Sequence, residues 1–376
     1  MDIQPILKKY NQKKITIGVL GGHSALDVCH GATKYGFDTV VVCQKGREKT
    51  YTDYYRRRDD AMGKEKGCVG NVILVDKFKD ITSPKVQQEL RELNTVFIHN
   101  RYFWVYCDFK EIENDFNVPI YGLREGVRLE ERDQPNNQYD LLRKANIRIP
   151  KIYKSAEDID RLVIVKVNEA TRGYERAFFF ANSYQNFVKE AEKRIRARQI
   201  TEEALNKAVI EEYAVGAHIN LNFFYSTITG ELELMGTDSR RQTNLDGFLR
   251  LPAVEQCMVR EFMEPKIIET GHFAVTMKES LVEKAYELGE RFVETMKKEV
   301  SPGIIGPFAL QGAVVAEEGR EEFVIFDVSM RIPGSPGTKF TPYSGYLYGE
   351  SLSYGERIAM EIKQAIKLKK LSEILT

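Results

Sequence analysis

The strongest constraint on the fold is an alternation that runs through the first hundred residues. "KKITIGVLGG" reads as a strand ending in two glycines, and "SALDVCHGATKYG" as a helix with Ala25, Val28, Cys29 and Ala32 on one face. "FDTVVVCQKG" is a second strand, and "GNVILVDKF" and "LNTVFIHN" are two more, with the helix "SPKVQQELREL" between them. Successive parallel strands need a long crossover, usually a helix, so this pattern predicts a parallel sheet covered by helices. We place this Rossmann-like domain at residues 1–125. A polar helical stretch, "RLEERDQPNNQYDLLRKANI", follows it. Beyond that point strands and helices alternate less regularly. The fold class is therefore α/β followed by α+β, with segments at 126–212 and 213–376.

Composition narrows the function classes. The chain has 376 residues, room for two or three domains. Its 55 basic and 55 acidic residues cancel, which argues against a protein built to bind nucleic acid. "YYRRRDD" at 54–60 carries its own counter-charge and reads as a solvated loop. The N-terminus lacks the apolar core of a signal peptide, and no apolar run reaches membrane-spanning length. The five cysteines are scattered without a C-x-x-C pair. No zinc site or disulfide framework is expected, and a reduced cytoplasmic setting without a membrane partner fits.

Residues 163–180, "VIVKVNEATRGYERAFFF", predict a hairpin with Lys166 at the end of its first strand and Phe178 to Phe180 in its second. A strand lysine facing a flexible turn suits nucleotide phosphates. Loops that cover phosphates are usually rich in glycine, because backbone N–H groups must come close. This one has only Gly173 among Asn168, Glu169, Thr171, Arg172, Glu175 and Arg176. In "VIEEYAVG", Glu211 and Glu212 precede Tyr213 and Ala214. A carboxylate in such a connection can bind an adenine amino group while backbone groups read the ring edge. The plainer reading is two surface acids ahead of a buried tyrosine.

At the N-terminal turn, Gly18, Gly21 and Gly22 give G-x-x-G-G, not the dinucleotide fingerprint. What remains is a glycine pair opening a helix, with His23 and Ser24 at its first turn, a setting that suits a single phosphate. Alternatively Ser24 is an N-cap, with Asp27 completing a capping box; both can hold together. His30 reads as a packing residue. His99 ends another strand at the same sheet edge, where ligands of open α/β sheets bind, so a joint role with His23 is expected.

Near the C-terminus, "FALQGAVVAEEGREEFVIFDVSMRIPGSPG" is two strands joined by a polar turn, which sets Gln311 against Asp327. Asp327, Ser329 and Arg331 alternate along one face. This trio suits Mg²⁺ held between protein and phosphate, with Arg331 neutralising charge on a transferred phosphoryl group. It could also be a solvent face.

In order, the strand lysine, the loop, E-E-Y and the Q…D-x-S-x-R pair of strands resemble an ATP-grasp enzyme. More narrowly they resemble the PurP family, the archaeal formate-dependent ligases of purine biosynthesis, through "LGGHSAL", "RIPKIYKSAEDID", "VIEEYAVG", "TNLDGFLRLPA", "GPFALQ" and "SYGERIAMEI". The resemblance implies phosphoryl transfer from ATP to formate, then attack by the amine of 5-aminoimidazole-4-carboxamide ribotide on formyl phosphate. It places His23 and Ser24 at the ribotide phosphate, with His99, Asn244 and Asp246 in the same pocket. Lys166, Arg172, Glu211, Glu212, Tyr213 and Ala214 fall at ATP, with Lys166 and Arg331 catalytic and Gln311 and Asp327 holding Mg²⁺ or Mn²⁺. It also implies a homo-oligomer.

Four features depart from the family pattern: the glycine-poor loop, Asp327 where glutamate is usual, His218 where a ribose-binding acid is common, and Arg101 with Tyr102 in place of a small serine-containing turn. They suggest a divergent paralogue. The alternatives are a nucleotide-binding subunit without catalysis and a ligase for a different amine and carboxylate.

Overall fold

The computed structural model describes residues 3–131, 134–167, 177–263, 265–317, 319–334 and 336–376. The loop residues 168–176, Arg172 among them, lie outside the described residues. The first sheet is parallel and contains β1 (Thr16–Leu20), β2 (Asp38–Gln44), β3 (Asn71–Val75), β4 (Thr95–Ile98) and β5 (Ile120–Tyr121), in the order β3-β2-β1-β4-β5. Helices α1 (Ala25–Lys34) and α2 (Pro84–Glu92) make crossovers. Every residue of β1 is buried, as expected for a parallel strand covered on both faces.

The second sheet is antiparallel: β6 (Ile152–Tyr153), β7 (Val163–Val167), β8 (Ala177–Ala181) and β9 (Val209–Glu212), in the order β8-β7-β9-β6. The third has β10 (Ala217–Tyr225), β11 (Leu232–Gln242), β12 (Glu269–Val275), β13 (Gly306–Glu317) and β14 (Arg320–Ser329), in the order β12-β11-β10-β13-β14. The sequence reading did not foresee β12, nor the helices α3 (Arg101–Tyr106) and α6 (Ala253–Phe262): β12 and α6 bury none of their residues, and α3 spans only six residues, too few for a helical repeat to show. Helices α4 (Gln138–Lys144) and α5 (Tyr184–Arg196) lie between these elements in the chain.

Helix α7 (Glu279–Glu299) buries Leu281, Ala285, Leu288, Phe292, Val293 and Met296, a stripe at helical spacing that faces the third sheet. The Phe292 and Phe308 rings stack with centroids 5.7 Å apart, and Phe223 and Phe308 at 5.3 Å. Full burial of each ring stabilises the fold by roughly 1.5–3 kcal/mol.

The chain's last helix, α8 (Tyr354–Leu368), shares a core with the first sheet rather than with α7. It crosses α1 where two glycines meet. A Cβ on Gly31 would lie 2.0 Å from the Gly355 carbonyl carbon, and one on Gly355 2.0 Å from the Asp27 oxygen. The tail then closes on β5, with Ile120 N donating to Thr376 O at 3.0 Å and Thr376 N to Ile120 O at 2.8 Å. Backbone cannot retreat as a flexible side chain can, so Gly31→Ala is expected to destabilise the protein by about 1–3 kcal/mol in urea unfolding. Gly247, with nothing within 4 Å, is the control. Equal midpoints for the two alanine variants would refute so close a crossing.

Candidate active site

A polar pocket forms where the carboxyl edge of the first sheet meets one face of the third. The turn after β1 supplies His23, and the start of α3 supplies Arg101. The third sheet contributes Asn220 and Asn222, Asp238 and Arg240, Glu269 and His272, Gln311, and Ser329 with Arg331. Most come in pairs two residues apart, because alternate residues of a strand share a face.

Asp238 is completely buried and accepts hydrogen bonds from Asn220 Nδ2 at 2.8 Å and from Asn222 Nδ2. Its Oδ2 also meets His272 Nδ1, while His272 Nε2 lies 2.8 Å from Glu269 Oε1. Burial pushes the His272 pKa down, but its bonds to Asp238 and Glu269 more than reverse this and raise it to about 9. The ring is an imidazolium at neutral pH. Glu269 Oε1 also lies 3.4 Å from His23 Nε2, and Glu269 Oε2 3.3 Å from Arg240 Nε. Burial favours protonating Glu269, yet the bonds from both histidines and the Arg240 charge hold its pKa far below the usual carboxylate range.

Arg331 is buried, 3.6 Å from Glu130, and its Nε has no hydrogen-bond partner among the described residues. Burial lifts the Glu130 pKa to about 6, against the pull of the Arg331 charge. An orphaned buried donor on a guanidinium that lines a pocket is a place for an anion.

A second cluster surrounds Lys166 on β7. Its Nζ forms an ion pair with Glu211 of β9, which is 2 % exposed. The Tyr139 hydroxyl from α4 bonds to the same carboxylate and lies 3.3 Å from Nζ. Phe326 packs beside the ammonium at 5.7 Å, and its ring begins an aromatic row through His218 (5.5 Å), Tyr213 (6.2 Å) and Phe180 (5.0 Å).

Several expectations from sequence need correction. Ser24 does not cap α1. It sits in the left-handed region at φ 69°, and its hydroxyl donates to the Pro333 carbonyl at 3.0 Å. Asp27 accepts instead from Gly355 N at 2.9 Å, so no capping box forms. Tyr102 covers the turn: a Cβ on Gly22 would come 2.1 Å from its ring. His30 is exposed and is not the packing residue that the sequence suggests. His99 is buried, accepts from Trp104 Nε1 at 2.9 Å, and burial followed by nearby arginine charge lowers its pKa to about 3. It is a neutral core histidine and is not among the residues lining the pocket with His23. Glu211 is neither a surface acid nor turned to a linker, since Lys166 holds it. Glu212 points outward and pairs with Arg161 at 3.1 Å. Asn244 accepts from Lys266 N, 22 residues on, at 2.6 Å, and Asp246 closes a local turn by accepting from Gln242 N at 3.0 Å. Tyr213 is half-buried and Ala214 buried.

The β13–β14 register sets Gln311 opposite Asp327. The Gln311 amide oxygen accepts from Arg240, and its Nε2 donates to Ser329 Oγ at 2.9 Å. Sequence reading missed Asn220, Asn222, Asp238, Arg240, Glu269 and His272. The alternation from which Asp327, Ser329 and Arg331 are read, of which Ser329 and Arg331 line the pocket, is equally present in "HINLN" and "TDSRR".

Residues 17–153 match the family described as "Protein of unknown function (DUF1246)", and residues 186–376 the one described as "Domain of unknown function (DUF1297)". The 5-formaminoimidazole-4-carboxamide-1-(beta)-D-ribofuranosyl 5'-monophosphate synthetase of Methanocaldococcus jannaschii is 38% identical, over 100% of this chain and 99% of its own. The protein of the same name from Methanothermobacter thermautotrophicus is 39% identical, over 100% and 98%. Among solved structures, an IMP biosynthesis protein PurP from Thermococcus kodakaraensis superposes with a TM-score of 0.70 at 24% identity, covering 96% of this chain and 100% of that one. The N5-carboxyaminoimidazole synthetase of Staphylococcus aureus gives 0.56 at 14%, covering 92% and 80%. These superpositions show an ATP-grasp fold. With identity of this order sustained from end to end, the chain belongs to the PurP family, that of the archaeal 5-formaminoimidazole-4-carboxamide ribonucleotide synthetases.

Proposed function

We propose that the protein is an ATP-dependent carbon–nitrogen ligase that formylates 5-aminoimidazole-4-carboxamide ribotide with formate, releasing ADP and phosphate, a step of purine (IMP) biosynthesis. The observation that carries this reading is the pocket itself. It joins His23 from one sheet to Arg240, His272 and Arg331 from another, the cationic lining that two phosphorylated substrates and a carboxylate require.

The roles divide by position. His23 and the residues around it hold the ribotide phosphate. Lys166 faces the ATP phosphates, and the row from Phe326 to Phe180 offers flat apolar faces to the adenine. Arg331, whose buried Nε has no partner among the described residues, lies where charge builds up as a formate oxygen attacks the γ-phosphorus and the bond to ADP breaks. The ribotide amine then attacks the formyl carbon, the carbon–oxygen bond to phosphate breaks, and the nitrogen's proton leaves with the phosphate. Closing the site against water protects the acyl phosphate.

Asp327 and Gln311 are hard oxygen donors on paired strands, a set that fits Mg²⁺ shared with substrate phosphates once the Gln311 amide turns from Arg240. Bound there, the ion would neutralise triphosphate charge. In this reading 1–125 brings the ribotide turn, 126–212 the lysine hairpin and 213–376 the catalytic sheet, and the protein works as a homo-oligomer.

The test is ADP release with Mg²⁺, ATP, formate and the ribotide, each omitted in turn. Release that needs all four is expected. Nucleotide binding without turnover would refute the reading in favour of a non-catalytic paralogue. Arg101 at the pocket favours one second reading, a ligase of the same mechanism with another phosphorylated amine. Turnover that needs formate but not this ribotide would establish it.

A further inference from the structure

The Glu269 carboxylate lies among three side chains: it pairs with His272 Nε2 at 2.8 Å and His23 Nε2 at 3.4 Å, and the Arg240 charge stands beside it, its buried Nε 3.3 Å away and without a hydrogen-bond partner among the described residues. It is the ligand of a cradle otherwise built for an external anion. We propose that Glu269 is a resident anion in the ribotide-phosphate subsite: it holds the place between His23, Arg240 and His272 that a phosphate monoester takes, and the incoming ligand displaces it. The inference rests on the reading of His23 as a ribotide-phosphate residue, and it adds Arg240 and His272 as ligands and Glu269 as their competitor.

The placement of each group supports an exchange of this kind. Glu269 opens β12, an edge strand that among the described residues pairs with β11 alone, and the register slips at Arg241/Gln242, beside its own pair Gln242↔Glu269. An edge strand with an irregular end can release a side chain without breaking the sheet. The cradle does not depend on Glu269. Asp238 lies behind His272, wholly buried and held by Asn220 and Asn222, so it keeps the ring oriented when the glutamate leaves. His23 is seated by a glycine: a Cβ on Gly334 would fall 1.6 Å from its Nε2.

Charge makes the exchange favourable. Within the cluster the positive His272 and Arg240 face the negative Asp238 and Glu269. Once Glu269 swings to solvent the cluster is left positive, which a phosphate dianion satisfies better than one carboxylate. The donor atoms of His23, Glu269 and His272 also lie within 4.8 Å of one another, close enough for a transition metal. The Arg240 guanidinium against the same carboxylate, and the raised proton affinity of His272, favour the anion.

The test is calorimetric titration of the full chain with ribose 5-phosphate, in EDTA and without nucleotide. Glu269→Gln removes the competing charge and is expected to bind the probe about tenfold more tightly than wild type. His272→Gln is expected to bind it more weakly. Unchanged or weaker binding by Glu269→Gln would overturn the proposal. Stoichiometric Zn²⁺ binding by wild type, lost in Glu269→Gln while ribose 5-phosphate affinity stays the same, would overturn it in favour of a metal site. The outcomes for the ligase are separate: tighter ribose 5-phosphate binding with no formate-dependent ADP release sustains the resident anion and refutes the ligase. ADP release with no effect of Glu269→Gln does the reverse.

Discussion

Lys166→Ala is expected to lower formate- and ribotide-dependent ADP release by about 10²- to 10³-fold, the usual loss when one preorganised charge partner of a transition state is removed. The lysine is placed for this by elements that do not need it. It sits at the end of a β7–β9 ladder whose register, Val209↔Lys166 and Glu211↔Ile164, is set by backbone bonds and by buried Val163, Val165 and Ile210. Its ammonium is tied to Glu211 and to the Tyr139 hydroxyl, which fixes its position. A rival account is that Lys166 only neutralises a buried glutamate. The double variant Lys166→Met/Glu211→Gln separates the two, since it removes both charges and spares the fold the cost of an unpaired one. A phosphate-binding lysine predicts that the double variant is as slow as Lys166→Ala, with the melting temperature near wild type. Recovery of wild-type turnover in the double variant would reduce Lys166 to a structural residue and move the phosphate site elsewhere.

The elements that could be read from sequence were those whose pattern and environment agree. The parallel sheet was legible because its inner strands β1, β2 and β4 are covered on both faces and read as unbroken apolar runs, while the edge strand β3 is only partly covered and leaves Leu74 exposed. Helix α7 was legible over its full length from one apolar stripe. In contrast, α6 buries none of its residues and β12 alternates no clear apolar face, so neither offers a burial signal. The site divides in the same way. Ser329 and Arg331, which line the pocket, stand out because apolar neighbours frame them at the end of β14. His272 and Glu269 acquire meaning only from Asp238 on the next strand and His23 in another sheet, separations that no local spacing encodes. His99 shows the converse error: its place at a strand end suggests a ligand, and burial against Trp104 makes it a neutral core residue. Ser24 was misread for a related reason, since a cap signature is local while its actual partner, the Pro333 carbonyl, is 309 residues away.

Arg357→Ala is expected to destabilise the protein by about 3–5 kcal/mol, the usual result of stripping the cation from a buried ion cluster. Arg357 lies on α8, 2 % exposed, and donates to both oxygens of Glu233 at 2.8 and 2.7 Å and to Glu361 at 2.9 Å. Ser226 satisfies the other oxygen of Glu361, and the guanidinium stacks 4.1 Å over Phe224. Burial alone would lower the arginine's pKa, but the two carboxylates raise it above its ordinary value, so the charge persists in the core. Removing it leaves two buried carboxylates without a counter-ion and opens a cavity over Phe224. The location makes the loss consequential. Through Glu233 and Phe224, α8 grips the third sheet, and through Gly355 it grips α1, the helix that follows His23. The same helix therefore fixes the distance between the two halves of the pocket. Urea unfolding should show a lower midpoint for Arg357→Ala, and Arg357→Met/Glu233→Gln/Glu361→Gln should recover much of it, because a neutral well-packed replacement carries no unpaired charge. A midpoint for Arg357→Ala within about 0.5 kcal/mol of wild type would mean that water or rearrangement already screens the cluster, and that α8 is held by its glycine crossing alone.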